Sequence, residues 1–383
     1  MSDSGFDSFR ADLLAWLDAN EADLRPRWDG FGSLEQQYQH YQHVKRSLWD
    51  ADFGRHGWPE SVGGLGGPPI RRALVSEEIA LRELADANLW TMIEVLAPTI
   101  INFGSADLAA EMVPPLLRGD QLWCQGFSEP DAGSDLASLS CKATRTDGGW
   151  LVNGQKVWTS FAQLAERCIL LARTGEPGSA HRGITAFFVD VDSPGLTLRP
   201  ITTLHGRPEF AEVFYDDVFI PDDRVLGEVN GGWAIAMDIL PYERSTTFWH
   251  RGAQLHTTFS HVLERVAAPG TDSTATAKAL GEAYQAVFAF RSRSRDTQYR
   301  LAAGEARGVE TSIDKVLIST AEQLLAEKAR EVLPGAIEFG DGPDDELLRM
   351  DFLYARAATI YGGTSEVQRN IIARRVLDLG AEA

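Results

Sequence analysis

Residues 149–160 read GWLVNGQKVWTS, and the punctuation of this run decides the fold class. It is a short run rich in β-branched and aromatic residues (Trp150, Val152, Val157, Trp158 and Thr159) bounded by turn residues, which reads as a strand and not as a helix. Asp147-Gly148 just before it and Asn153-Gly154 within it are expected to be hairpin turns, since both pairs tolerate the left-handed backbone that two-residue turns need. The same short β-rich pattern continues outward on both sides, in LWCQGF (122–127), CILLART (168–174), GITAFFVDVD (183–192) and EVFYDDVFI (212–220). Connections this short leave no room for crossover helices, so antiparallel pairing is expected. A β domain therefore occupies the middle of the chain.

Helical periods flank it. From Phe6 to about Leu24 the apolar residues Phe6, Phe9, Leu13, Leu14 and Leu17 share one face, and a second helical pattern runs from Ile70 to about Leu84. The intervening WPESVGGLGGPP (58–69) is too rich in glycine and proline for a regular element. From Gly232 helical periodicity persists to the end, with Ala268–Thr274 and Gly335–Asp345 as loops. In the last helix Val367, Ile371, Ile372, Val376 and Leu379 define one face. The fold class is α+β: an N-terminal α-helical domain (1–120), a middle antiparallel β domain (121–228) and a C-terminal α-helical bundle (229–383).

Composition excludes several functions. A net charge of -19 over 383 residues argues against binding to nucleic acid or an anionic membrane, both of which need clustered positive charge. Any anionic substrate must then be met by individual arginines or helix N-termini. Cys124, Cys141 and Cys168 are too few for a disulfide framework and fit no zinc or redox spacing, so they are read as packing residues in a reducing interior, and no metal site is expected. The acidic N-terminus does not resemble a secretory signal, and no apolar run reaches membrane-spanning length, so a cytoplasmic protein is expected.

Five segments carry possible chemistry, each with a plain alternative. Gly63–Gly67 lacks both the GxGxxG and the GKS/T patterns and is read as a loop between helices, which disfavours a Rossmann-type enzyme. GFSEPDAGSD (126–135) exposes backbone N–H groups and two hydroxyls, Ser128 and Ser134, suited to an anion, although such a turn is more often only a turn. Trp158 offers a flat face for stacking on a planar ring, although most strand tryptophans fill core volume. PYER (241–244) and YGGTSEVQR (361–369) read individually as helix surface and as an N-cap.

Together and in this order, GFSEPDAGSD, KVWTS (156–160), FYDDVFIP (214–221) and YGGTSEVQRNIIARRVL (361–377) resemble the acyl-CoA dehydrogenase family over nearly the whole chain. The resemblance implies FAD held between the β domain and a C-terminal four-helix bundle. Carried over residue by residue, Gln125, Phe127, Ser128, Gly133 and Ser134 line the cofactor, Trp158 and Ser160 flank its ring, and Thr364 and Glu366 reach it from the bundle. Ser134 and Arg244 are the implied substrate contacts. The Gly362 backbone N–H is implied to polarise the thioester carbonyl.

Many family members carry their base at the position of Gly362, as YEGT. A second group places it on the earlier helix, immediately before an arginine, and this chain has Glu243 before Arg244. Glu243 is therefore expected to be the catalytic base, with Pro241 kinking or restarting the helix near it. Two family features are missing. The RxxFG segment and the GGxGF loop, which meet the FAD of a neighbouring subunit, have no clean equivalent around Arg291–Gly304 and Gly335–Pro343. The expected function is α,β-dehydrogenation of an acyl-CoA, with an electron-transfer flavoprotein as acceptor, in a homo-oligomer (dimer or tetramer) or a heterotetramer with a second acyl-CoA dehydrogenase subunit. The alternatives are a flavin oxidase or monooxygenase on the same fold, and a non-catalytic or half-site subunit.

Overall fold

The computed structural model describes residues 4–28, 30–176, 178–244, 246–267, 274–305 and 308–380, with the side chains of Ser4 and Glu243 outside the described set. Five helices come first: α1 (Ser4–Leu24), α2 (Leu34–Asp50), α3 (Ile70–Leu81), α4 (Ala87–Phe103) and α5 (Ala106–Arg118). Their starts follow from side chains that accept orphan amides. Ser33 and Gln36 form a capping box on α2, and Asp86 accepts from Asn88 N and Leu89 N at the start of α4. Gly119, at φ 75°, ends α5 in the left-handed conformation.

The sheet comprises β1 (Trp123–Gly126), β2 (Lys142–Thr146), β3 (Gly149–Ser160), β4 (Arg167–Arg173), β5 (Ile184–Asp190), β6 (Leu196–Ile201), β7 (Phe210–Pro221) and β8 (Val225–Leu226). Its order is β6-β7-β3-β2-β4-β5-β8, with β1 added against β4. Two expectations need correction. First, β1 runs parallel to β4, because the β2–β3 hairpin intervenes between them and supplies the long return that a parallel pair requires. Second, only Asp147-Gly148 is a hairpin turn, whereas Asn153-Gly154 sits inside β3 at a register shift against β7. There the Asn153 and Asp217 side chains and backbone exchange two hydrogen bonds of 2.8 and 3.0 Å, and Gly154 adopts φ 147°.

The second helical set is α6 (Gly232–Glu243), α7 (Thr246–Val266), α8 (Thr274–Ala302), α9 (Thr311–Val332), α10 (Ala336–Phe339), α11 (Pro343–Tyr354) and α12 (Ser365–Ile371). The stretch 335–345 is thus not wholly loop. The last helix is shorter than its apolar pattern implied. It passes into a π-helical turn at Ile372–Val376, and Leu379 is 71% exposed. Residues 268–273 lie outside the described set.

One apolar core joins Ile100 of α4, Leu116 of α5, Trp123 of β1, Ile169 of β4, Phe188 of β5 and Ile235 of α6. It locks the first helices, the sheet and the start of the second helical set together. The three thiols are free and buried within the sheet, where burial pushes Cys141 up to about 12. Among the described residues no helix is long and apolar enough to cross a membrane.

Candidate active site

Two surfaces form the site, one on the sheet and one on the second helical set. On the sheet, the loop after β1 is tied to β3 by a buried ion pair. Lys156 Nζ lies 2.8 Å from Glu129 Oε1 and donates to Phe127 O at 3.0 Å, while Val157 N donates to Ser128 O at 2.9 Å. Glu129 also accepts from Ser140 N, Ser140 Oγ and Cys141 N. Burial pushes its carboxyl up, but Lys156 and these donors outweigh burial and hold it below the ordinary value. The pair fixes Phe127 and Ser128 against the strand that carries Trp158. Neither partner was assigned a role from the sequence.

Trp158 is displayed by a dislocation of β3. The register with β7 shifts between Lys156 and Thr159, and Trp158 takes φ 60°, a conformation that costs a non-glycine residue energy. The shift buries Thr159 and leaves Trp158 58% exposed, its ring edge-on to Phe210 at 5.9 Å. Ser160 ends the strand opposite Phe210, and Gln125 pairs with Ile169. Gly133 and Ser134 are exposed on the loop, with open space where a Cβ at Gly133 would project. These features fit the cofactor expected from the sequence: a bare flat ring, an uncrowded loop with exposed amides, and the Ser128, Ser134 and Ser160 hydroxyls not engaged by protein among the described residues. Trp158→Ala is expected to raise the FAD dissociation constant about tenfold, the worth of one aromatic contact. Its unfolding midpoint should barely move, because the ring is largely exposed. Equal FAD retention on titration would remove the stacking role.

The second surface is built where α6 meets α7. The helix stops at Glu243, Arg244 N returns to Pro241 O, and α7 resumes at Thr246, as the proline implied. This helix end is held from α4: Thr99 Oγ1 donates to Asp238 Oδ2 at 2.8 Å, and Asn102 Nδ2 donates to Asp238 Oδ2 and to the Tyr242 hydroxyl. Arg244 is buried, and its Nη2 donates to Gly362 O at 3.0 Å. Gly362 and Gly363 adopt φ 60° and 95°, and a Cβ on Gly363 would collide with the Gln368 side chain. Thr364 caps α12 by accepting from Val367 N, which keeps its hydroxyl engaged by the helix, and Glu366 is exposed with Arg369 4.0 Å away. The side chain of Glu243, the expected base, lies outside the described residues, but its backbone closes α6 beside this anchor.

A row of rings joins the two surfaces. His205, on the turn before β7, lies 6.2 Å from Tyr354, and Tyr354 lies 6.0 Å from Tyr361, which precedes Gly362. Nearby, burial and then Asp86 push the Glu209 carboxyl up to about 7. A carboxyl that binds its proton more tightly when folded stabilises the fold most below its unfolded value near 4.5, and that contribution is lost as pH rises through about 7. Glu209→Gln keeps the acceptor for Asn88 Nδ2 and removes the charge. Its stability relative to the parent should rise by roughly 2–3 kcal/mol from pH 5 to pH 8, read by denaturant titration.

The arginines around the missing cofactor segments are engaged within the chain. Arg291 and Arg295 both bind Glu77 of α3, and Arg293 binds Asp314.

Comparison with known proteins agrees with this layout. Residues 8–120, 124–218 and 230–377 match the N-terminal, middle and C-terminal domains of acyl-CoA dehydrogenase, respectively. Acyl-CoA dehydrogenase IpdE1 of Mycobacterium tuberculosis is 36% identical, covering 98% of both chains. Among solved structures, the ChsE4-ChsE5 complex from Mycobacterium tuberculosis aligns with TM-score 0.80 at 25% identity, covering 100% of this chain and 99% of the other. A chain described as "Tcur3481-Tcur3483 steroid ACAD" aligns with TM-score 0.84 at 24% identity, covering 100% and 99%. With all three domains matched in order and a relative of this identity spanning the full length, the chain belongs to the acyl-CoA dehydrogenase family.

Proposed function

We propose that this FAD-dependent enzyme introduces a double bond between the α and β carbons of an acyl-CoA thioester, with Glu243 as the base. The observation that carries the reading is the Arg244–Gly362 hydrogen bond. It brings together the two backbone positions from which members of this family aim a carboxylate, and only one of them, Glu243, has a carboxylate here. Glu243 takes the α proton, the electron pair of that C–H bond becomes the new π bond, and the β hydrogen leaves as hydride with its own pair. Bound FAD supplies the acceptor for that hydride. The Gly362 N–H is assigned to the thioester oxygen, where it favours the charge that develops as the proton leaves.

Arg244 acts in this reading as a positioning residue, since its guanidinium already holds the Gly362 carbonyl. Ser134 is free to meet the pantetheine. Gln125, Phe127, Ser128, Gly133, Ser134, Trp158 and Ser160 hold the cofactor from the sheet, and Thr364 and Glu366 from α12. The direct test is anaerobic mixing of flavin-loaded protein with a panel of acyl-CoA thioesters. Bleaching of the flavin absorbance with formation of 2-enoyl-CoA supports the proposal, and no bleaching with any thioester sinks it.

A half-site assembly is supported by a separate observation. Glu77 occupies Arg291 and Arg295, in the region where family members offer side chains to a neighbour's FAD. A second, different acyl-CoA dehydrogenase subunit is therefore proposed to complete the cofactor site, with an electron-transfer flavoprotein as acceptor.

A further inference from the structure

A cavity of about 340 Å³ opens between the α1–α2 and α3–α4 turns, α7 and α11, and its wall includes Asp86, His250, Gln254, Thr258 and Asp351. It adjoins the helices that carry the proposed chemistry. Gln254, Thr258 and Asp351 also line, together with Tyr354, a small neighbouring cavity of about 30 Å³, and Tyr354 packs on Tyr361, next to Gly362. His250 lies on α7, four residues past the start of that helix at Thr246 and just beyond the break at Glu243–Arg244.

His250 has a fixed proton. Its Nδ1 lies 2.8 Å from Ser76 O and 3.1 Å from Ser76 Oγ, and because the nearer carbonyl oxygen only accepts and would repel a bare lone pair, Nδ1 carries the proton. Ser76 is itself held by Trp90, whose Nε1 donates to Ser76 Oγ at 3.0 Å. Nε2 is left as a lone-pair acceptor with no hydrogen-bond partner among the described residues. Burial holds the ring neutral, pushing it down to about 3, so Nε2 keeps a lone pair at neutral pH as long as Nδ1 carries the proton.

We propose that this cavity takes the distal end of the acyl group and that His250 Nε2 accepts a hydrogen bond from a hydroxyl carried there, so that the substrate is a hydroxylated acyl-CoA. The proposal rests on the acyl-CoA reading of the site. An unsubstituted alkyl end would displace water from Nε2 and leave a buried acceptor unsatisfied, at a cost of about 1–3 kcal/mol. An anionic end is disfavoured by the wall: beside Asp86, which lies 3.7 Å from Arg207, it carries Glu83, Asp344 and Asp351, and its lining arginines are Arg25 and Arg265. Of these, Arg265 is already paired with Asp345 at 2.6 Å.

The test uses flavin-loaded protein, with any subunit that co-purifies, and calorimetric titration with octanoyl-CoA and its ω-hydroxy analogue. The hydroxylated thioester should bind about tenfold more tightly, the worth of one buried hydrogen bond. His250→Asn keeps an amide donor for Ser76 O but has nothing at the Nε2 position, so the two affinities should become nearly equal. His250→Gln, which returns an oxygen close to that position, should restore part of the preference. Equal affinities in the parent protein, or a tenfold preference that survives His250→Asn, would overturn the proposal. Failure of the base assignment shows up differently: Glu243→Gln would then turn over thioesters normally while the binding ratio stayed intact.

Discussion

Glu243→Gln is expected to keep FAD bound while dehydrogenation falls by roughly 10²–10⁴-fold, the usual worth of a positioned general base. The substitution removes a proton acceptor and leaves nearly the same shape and the same helix end. Most of the loss should appear in kcat, because the thioester is still held by groups that Glu243 does not supply. The anaerobic reductive half-reaction isolates this step: the flavin should bleach slowly in the variant although the thioester saturates at similar concentrations. Bleaching at the parental rate would require a different base. The carboxylates at Glu322 and Glu209 do not substitute for it, since Glu322 is bound by Arg251 and by the Tyr361 hydroxyl, and Glu209 by Asn88.

The second large effect is structural. Lys156→Met should cost about 3–5 kcal/mol, because it strands the Glu129 carboxylate in a site from which water is excluded. FAD retention should fall with stability, since the loop bearing Phe127 and Ser128 loses its tie to β3. A double variant, Glu129→Gln with Lys156→Met, should recover much of the stability, as glutamine still accepts an amide hydrogen and methionine fills the lysine's volume. Denaturant unfolding and flavin content measure the two effects. The depressed Glu129 carboxyl also predicts a pH dependence in the parent: its contribution is present above about pH 4.5 and is lost as pH falls through the lower folded value. If the single variant were as stable as the parent, the pair would not hold the loop.

The sequence shows the order of helices, sheet and helices because its periods are long and its loops are marked by glycine and proline. It does not show strand direction as well. The parallel β1–β4 pair depends on where the chain returns after a hairpin, and no local pattern encodes that. Asn153-Gly154 misleads for a related reason: the dipeptide signals a positive-φ glycine, which a strand dislocation uses as readily as a turn. Lys156 was legible in principle. It shares the inward phase of Trp150 and Val152, and a cation at such a position requires a buried partner. His250 gave no signal, because its meaning depends on Ser76, which is remote in sequence and reaches it only through the packing of α3 on α7.

The dislocation in β3 changes what a strand can offer. By strict alternation Trp158 would follow Trp150, Val152 and Lys156 into the core, so one irregular step reverses the sense of the last residues and turns a wall into a platform. Because the reversal depends on a count and not on a side chain, conservative substitutions nearby leave it standing. Removing a single residue between Lys156 and Thr159 would silence the platform at once while the sheet itself endured.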